Sequence, residues 1–267
     1  MISVSRAVTP EPADVPYSPD PVGPAGRIGL ITLATDFNSE DDLRAILPGD
    51  VRLFTTRIEN ANPVTVANLQ SMAADLPRAA KTLLPGYGVD VAIFGCTSGT
   101  AVTGSDKIAE LINQGMPGTK VTNPLLASEL ALRAVGAQKI AILTPYLADV
   151  TQSVADGFQE RGFDVTRVMG FGLDNDFDMT ALPPKALLEG ALKVDTPDAD
   201  AVFISCTAIR SAEIIAEAEH RLKKPVITSN QALIWHALNL IGYKNPITGF
   251  GTLFDHAPQP TNQVEVP

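Results

Sequence analysis

Cysteine occurs twice in the 267 residues, as Cys96 and Cys206, each time as Cys-Thr at the end of an apolar run. The first run, Val89 to Phe94 broken only by Asp90, releases into Gly95-Cys96-Thr97-Ser98-Gly99-Thr100. The second, Ala201-Val202-Phe203-Ile204, releases into Ser205-Cys206-Thr207. Two thiols so placed suit acid–base chemistry at carbon. One thiolate takes a proton from a carbon, or attacks it, while the other thiol delivers a proton from the opposite side. A racemase needs such a symmetric pair. The competing reading makes both cysteines small core residues, since cysteine is among the most buried residue types. Two core cysteines would rarely share one setting by chance, which favours the chemical reading.

Other chemistries find less support. The two cysteines have no neighbouring His pair and no Cys-x-x-Cys spacing, so neither a zinc site nor a dithiol redox motif is indicated. His220 and His236 fall on expected helices and His256 near the end, where each reads as a surface or packing residue. Neither G-x-G-x-x-G nor G-x-x-x-x-G-K-[ST] is present, so nothing points to a nucleotide.

The thiols must be positioned by alternating strands and helices. Arg27 opens the pattern, with a strand over Ile28 to Leu33, a polar turn Ala34-Thr35-Asp36-Phe37-Asn38-Ser39 and a helix from Glu40 to Ile46. A strand over Val51 to Arg57 follows. One helix is expected after Asn62-Pro63, with Val66, Leu69, Met72, Ala73, Leu76, Ala80 and Leu83 on its inner face. The first cysteine strand comes next, then a helix carrying Ile108, Leu111 and Ile112, and a short strand Lys120-Val121-Thr122 ending at Asn123-Pro124.

The order then restarts. Lys139 to Thr144 parallels Arg27 to Thr32, the second cysteine strand parallels the first, and Pro225 to Asn230 echoes Lys120 to Asn123, each at a spacing of roughly 110 residues. The repeat predicts an α/β fold of two similar lobes, each a parallel sheet flanked by helices, related by a pseudo-twofold axis. The rival arrangement is one continuous doubly wound sheet. The expected division is a proline-rich tail over 1–26, a first lobe of 27–122 plus 229–256, a second lobe of 123–228 and a tail over 257–267. In parallel sheets ligands gather beyond the carboxyl ends of the strands, where helix N-termini point. Both cysteines are expected there, with free N–H groups to lower the thiol pKa and hold a carboxylate without Arg or Lys.

Composition narrows the partners. A net charge of −10 argues against a nucleic-acid surface, which needs basic patches. A hydrophobic content of 45% and a mean hydropathy of +0.12 indicate a sizeable core. No apolar run approaches the roughly 20 residues of a membrane span. Pro10, Pro12, Pro16, Pro19, Pro21 and Pro24 crowd an N-terminus without an apolar h-region, which is not a secretory signal. A reducing cytoplasm with free thiols is the default. The tail reads as an extension outside the chemistry; the alternative is an arm embracing a partner subunit in a homodimer or larger homo-oligomer.

With these residues in view, the chain resembles the aspartate/glutamate racemase superfamily. The resemblance is to the branch holding maleate cis–trans isomerase, arylmalonate decarboxylase and the racemase-like proteins of ectoine utilisation. It covers nearly everything after Arg27 and rests on Gly29-Leu30-Ile31 leading to Ala34-Thr35-Asp36, on Gly95 to Thr100, on Leu143-Thr144-Pro145-Tyr146, on Ser205-Cys206-Thr207 and on Gly251-Thr252-Leu253-Phe254. It implies no cofactor and a small anionic or amino-acid-like substrate between the thiols. Cys96 is then the first-lobe base or nucleophile and Cys206 the second-lobe acid. Tyr146 and Asn175 would face the substrate, Thr97, Ser98 and Thr207 would offer backbone N–H groups to its carboxylate, and Asn123 would join the binding set.

Asp36 departs from the maleate isomerases, which carry Asn there. An ionised aspartate cannot donate to a carboxylate; it could instead meet an ammonium group, or simply cap a helix. On this basis the expected reaction is racemisation of an amino-acid derivative, as the ectoine-utilisation likeness implies. Maleate isomerisation through a covalent Cys96 adduct is the alternative, and a non-catalytic two-lobed binding protein a further one. Arylmalonate decarboxylases use a single cysteine on the second-lobe side, so Cys96 counts against decarboxylation.

Overall fold

The computed structural model describes residues 9–257; the ends of both expected tails, residues 1–8 and 258–267, lie outside it. Among the described residues eight strands form two four-stranded sheets, all pairings parallel. The first contains β1 (Gly26–Leu33), β2 (Val51–Ile58), β3 (Val91–Phe94) and β4 (Lys120–Thr122) in the order β2-β1-β3-β4. The second contains β5 (Lys139–Tyr146), β6 (Asp164–Leu173), β7 (Ala201–Ile204) and β8 (Val226–Thr228) in the order β6-β5-β7-β8. The two orders are the same, so the sequence repeat is a repeat of topology, and the single continuous sheet is excluded. Central strands are covered on both faces, which is why β3 and β7 are unbroken apolar runs, whereas edge strand β2 is buried only at its ends, Val51 and Ile58, and leaves the residues between them partly or fully exposed.

The helices are α1 (Ser39–Ile46), α2 (Val66–Ser71), α3 (Leu76–Ala80), α4 (Thr97–Thr103), α5 (Ser105–Gly115), α6 (Pro124–Ala134), α7 (Ala148–Gln159), α8 (Asp176–Thr180), α9 (Pro184–Val194), α10 (Ile215–Leu222) and α11 (Ser229–Ile241). The single helix expected after Pro63 is instead α2, a 3₁₀ turn over Met72–Asp75 and α3. Pro77 explains the break, since it removes an N–H and its ring crowds the carbonyl four residues back. None of the described helices is long and apolar enough to cross a membrane.

Helix α11 is buried almost throughout and packs on α6, α1, β3 and β4. Its His236 accounts for one histidine directly: Nδ1 lies 2.8 Å from Thr122 Oγ1, and burial pushes the imidazole down to about 4. A histidine held neutral in the fold binds its proton only after unfolding. Its contribution is therefore complete above about pH 6.5 and lost as pH falls towards 4, by about 3 kcal/mol in all. Urea titrations at stepped pH should show that loss, and His236→Gln should flatten the slope across this window.

A buried polar clasp joins the halves. The Asp42 carboxylate on α1 accepts from the Ser211 N–H and hydroxyl, the Ala212 N–H and Asn230 Nδ2, at 2.9–3.2 Å.

Candidate active site

In each sheet the chain runs from the central strand outwards on one side and then crosses to the other, so a crevice opens at the carboxyl ends of β1 and β3, and of β5 and β7. Six strand ends, those of β2 and β6 included, supply the site. Asp36 follows β1, Asn60 follows β2 and Cys96 follows β3, while Tyr146 ends β5, Asp176 follows β6 and Cys206 follows β7. All six line one cavity together with Thr35, Thr97, Ser98 and Thr207, and Val64, Leu69, Met72 and Met179 are among its apolar wall. The cavity measures about 20 Å³, enough for roughly one water molecule.

The two cysteine turns differ. Cys96 has extended backbone and caps α4, its Sγ accepting the Gly99 N–H at 3.3 Å with Ser98 Oγ at 3.6 Å. A Cβ at Gly99 would lie 3.0 Å from that sulfur and 2.2 Å from the Met72 methyl, so the close approach requires glycine. No helix follows Cys206 directly; α10 begins only at Ile215, so its expected helix N-terminus is corrected. Cys206 instead sits at φ +104°, a conformation that costs a non-glycine residue about 1–3 kcal/mol. Neighbours hold it there, with the Cys206 N–H donating to Ser229 Oγ at 3.2 Å and the Ser205 N–H to the Leu143 carbonyl at 2.8 Å.

Hydrogen bonds tie the turns to each other. Thr97 Oγ1 donates to the same Ser229 Oγ at 2.9 Å, and Thr207 Oγ1 donates to the Gly95 carbonyl at 2.9 Å. Both threonine hydroxyls are therefore used in fixing the thiols relative to one another.

Electrostatics overturn one expectation. Burial pushes each thiol up to about 12. At Cys96 the Gly99 N–H and the Ser98 hydroxyl oppose this, and the charges of Asp176 and Asp36 add to it. At Cys206 the Tyr146 hydroxyl and the Ala208 N–H oppose it, and Cys96 and Asp176 add to it. Desolvation thus outweighs the N–H donors, and both sulfurs are thiols in the enclosed cavity. Burial, reinforced by the two sulfurs, also holds the Tyr146 phenol well above its ordinary value, which makes it a hydrogen-bond donor towards Cys206.

Two lobes with matched sheets, and a cysteine from each lining one cavity, are the setting in which the family likeness acquires meaning. The family pattern described as arylmalonate decarboxylase matches residues 70–254. The chain belongs to the arylmalonate decarboxylase family. Within that family it is 29% identical to arylmalonate decarboxylase of Bordetella bronchiseptica over 146 residues, 54% of this chain and 60% of that enzyme, less than two thirds of its length. It is 24% identical to maleate isomerase of Geobacillus stearothermophilus over 241 residues, 85% of this chain and 96% of that one. The fold matches a cysteine-to-alanine mutant of the maleate isomerase Iso from Pseudomonas putida S16 with maleate, at a TM-score of 0.80 and 23% identity, covering 87% of this chain and 98% of that one. It also matches the Nocardia farcinica maleate cis–trans isomerase with a covalently bound succinylcysteine intermediate, a cysteine-to-serine mutant, at a TM-score of 0.79 and 21% identity over 85% and 97% of the chains.

In this family member the cavity gathers most, but not all, of the residues expected from sequence. Cys96, Cys206, Asp36, Thr97, Ser98, Tyr146 and Thr207 line it. Asn123 does not; it is the N-cap of α6, its Oδ1 accepting the Leu126 N–H and the Ser105 hydroxyl at 3.0 Å. Asn175 does not either, because its Oδ1 caps α8 at the Asp178 N–H and its Nδ2 donates to Asp178 and Asp174. The next residue, Asp176, takes the place in the wall. Sequence reading missed Asp176, Thr35 and Asn60. The signal for two of them was the repeat itself, because Asn60 and Asp176 follow the corresponding strands β2 and β6.

Asp36 is largely consumed by its own turn. Oδ2 accepts from Thr32 Oγ1 at 2.8 Å, and Oδ1 accepts the Asn38 and Ser39 N–H groups, both at 2.9 Å. These bonds close the turn that leads into α1, whose N-cap position is Asn38.

Proposed function

We propose that this protein is a cofactor-independent isomerase in which Cys96 and Cys206 act together on a small carboxylic acid. The observation that carries this reading is a single cavity lined by one thiol from each lobe. Cis–trans isomerisation of a maleate-like unsaturated acid is favoured over the racemisation expected from sequence. The likeness to maleate isomerases runs over nearly the whole chain, and one fold neighbour carries a succinylcysteine.

The cycle balances as follows. The Cys96 thiolate forms a C–S bond to one olefinic carbon, and the displaced π electrons take the Cys206 proton onto the other. Rotation about the resulting single bond follows. The Cys206 thiolate then recovers a proton from that carbon, the double bond re-forms and the C–S bond breaks, restoring both sulfurs. Tyr146 steadies the Cys206 thiolate through its hydroxyl. Backbone N–H groups around Thr97, Ser98 and Thr207 are the proposed carboxylate contacts. A cavity of about 20 Å³ is too small for such a substrate, so entry requires the cavity to widen. Water then reaches Cys96, which removes the main cause of its raised pKa and lets the thiolate form.

The alternative is racemisation of an amino-acid derivative of the ectoine-utilisation kind, favoured by aspartate rather than asparagine at position 36. A panel of maleate, aspartate, glutamate, hydantoins and acetylated diaminobutyrates, incubated in D₂O and read by NMR and chiral chromatography, separates the two. The expected result is cis-to-trans conversion of the unsaturated acid. Deuterium entering the α-carbon of an amino-acid derivative, with the unsaturated acid untouched, would replace this reading by the alternative.

A further inference from the structure

The cavity contains two carboxylates, Asp36 and Asp176, and none of its lining residues is Lys, Arg or His. Arg57 approaches only from outside, donating to the Asp36 carbonyl while its charge is paired with Glu40. Asp36 has both oxygens engaged by its own turn. Asp176 does not. Its Oδ2 accepts from Thr35 Oγ1 at 2.5 Å and from Asn60 Nδ2 at 2.7 Å, whereas Oδ1 accepts no hydrogen bond among the described residues. The residue is only 6% exposed and lines the cavity, and its charge bears on both sulfurs.

With Oδ2 taken by Thr35 and Asn60 and Oδ1 not shut away from solvent, Asp176 keeps one acceptor open to a donor on a bound molecule. A substrate dianion supplies the opposite, a second negative charge in a space without a cation. We infer that the cavity takes a monocarboxylate carrying an N–H donor, an amide or ammonium nitrogen, which donates to Asp176 Oδ1, and that it discriminates against dicarboxylate dianions. This rests on the proposed isomerase reading for the identity of the reacting carbons, but the donor preference concerns binding alone.

Maleate and its monoamide, maleamate, are matched probes, and Asp176→Asn is a matched variant. Asparagine can keep one oxygen on Thr35 and Asn60 while placing an NH₂ donor where Oδ1 stands. The wild-type protein should isomerise maleamate with kcat/KM about a hundredfold above maleate, and Asp176→Asn should reverse that order. In parallel, succinamate should protect Cys96 and Cys206 from iodoacetamide better than succinate does in the wild type, with the preference lost in the variant. Equal selectivity in wild type and variant, or a wild-type preference for maleate, would overturn the inference while leaving the isomerase reading intact. If neither unsaturated acid turns over, selective protection by succinamate would uphold the donor preference and sink the isomerase reading; protection by neither would overturn the preference as well.

Discussion

Cys206→Ala and Cys96→Ala should each lower turnover by about 10³-fold or more, because each removes one half of a proton-transfer pair that no other side chain of the cavity duplicates. The remaining titratable groups in its wall are Asp36, Asp176 and Tyr146, and burial keeps Tyr146 protonated. Both cysteines are almost fully buried, so each truncation leaves only a sulfur-sized gap and should cost about 1 kcal/mol of stability. Circular dichroism and urea unfolding would confirm folded variants. The two losses should not multiply in the double variant, since the thiols act as one unit. Either single variant turning over a confirmed substrate at the wild-type rate would rule out the paired mechanism.

The second large effect is on thiol reactivity. With both sulfurs pushed up to about 12 by burial, alkylation of the free protein should be slow near neutrality. Its rate should rise about tenfold per pH unit, and thus about a thousandfold over three units, without the plateau that a low-pKa thiolate would give. The sign follows from burial disfavouring the charged form, so thiolate accumulates only as pH rises. Iodoacetamide labelling followed by peptide mapping from about pH 6 to 9 reads this directly. A plateau already reached by pH 7 would mean that the Gly99 and Ala208 N–H groups outweigh desolvation, contrary to the energetics of the enclosed cavity.

What the sequence disclosed was whatever repeats or alternates. Matched apolar runs ending in Cys-Thr located both central strands, and the restart at Lys139 announced a second sheet with the strand order of the first. Less visible were features set by competition between neighbours. Asn123 and Asn175 look like ligands in one dimension, yet both are spent on capping helices. Asp176, one residue along, enters the cavity because Thr35, Asn60 and Asn62 of the other half reach across to its carboxylate and its N–H. No local pattern encodes that partnership across more than a hundred residues. The raised thiol pKa is hidden for a related reason, since helix N–H donors can be read from sequence but the depth of burial cannot.

The pairing of Cys96 as nucleophile with Cys206 as acid is tested most directly by trapping. The Cys206→Ala protein, incubated with maleate and separately with maleamate, should accumulate one covalent substrate equivalent by intact-mass analysis, located at Cys96 by peptide mapping, the second carbon taking its proton slowly from water in place of Cys206. Cys96→Ala should accumulate none. An adduct carried by Cys206 instead, or turnover through both variants with no adduct on either, would contradict the assignment.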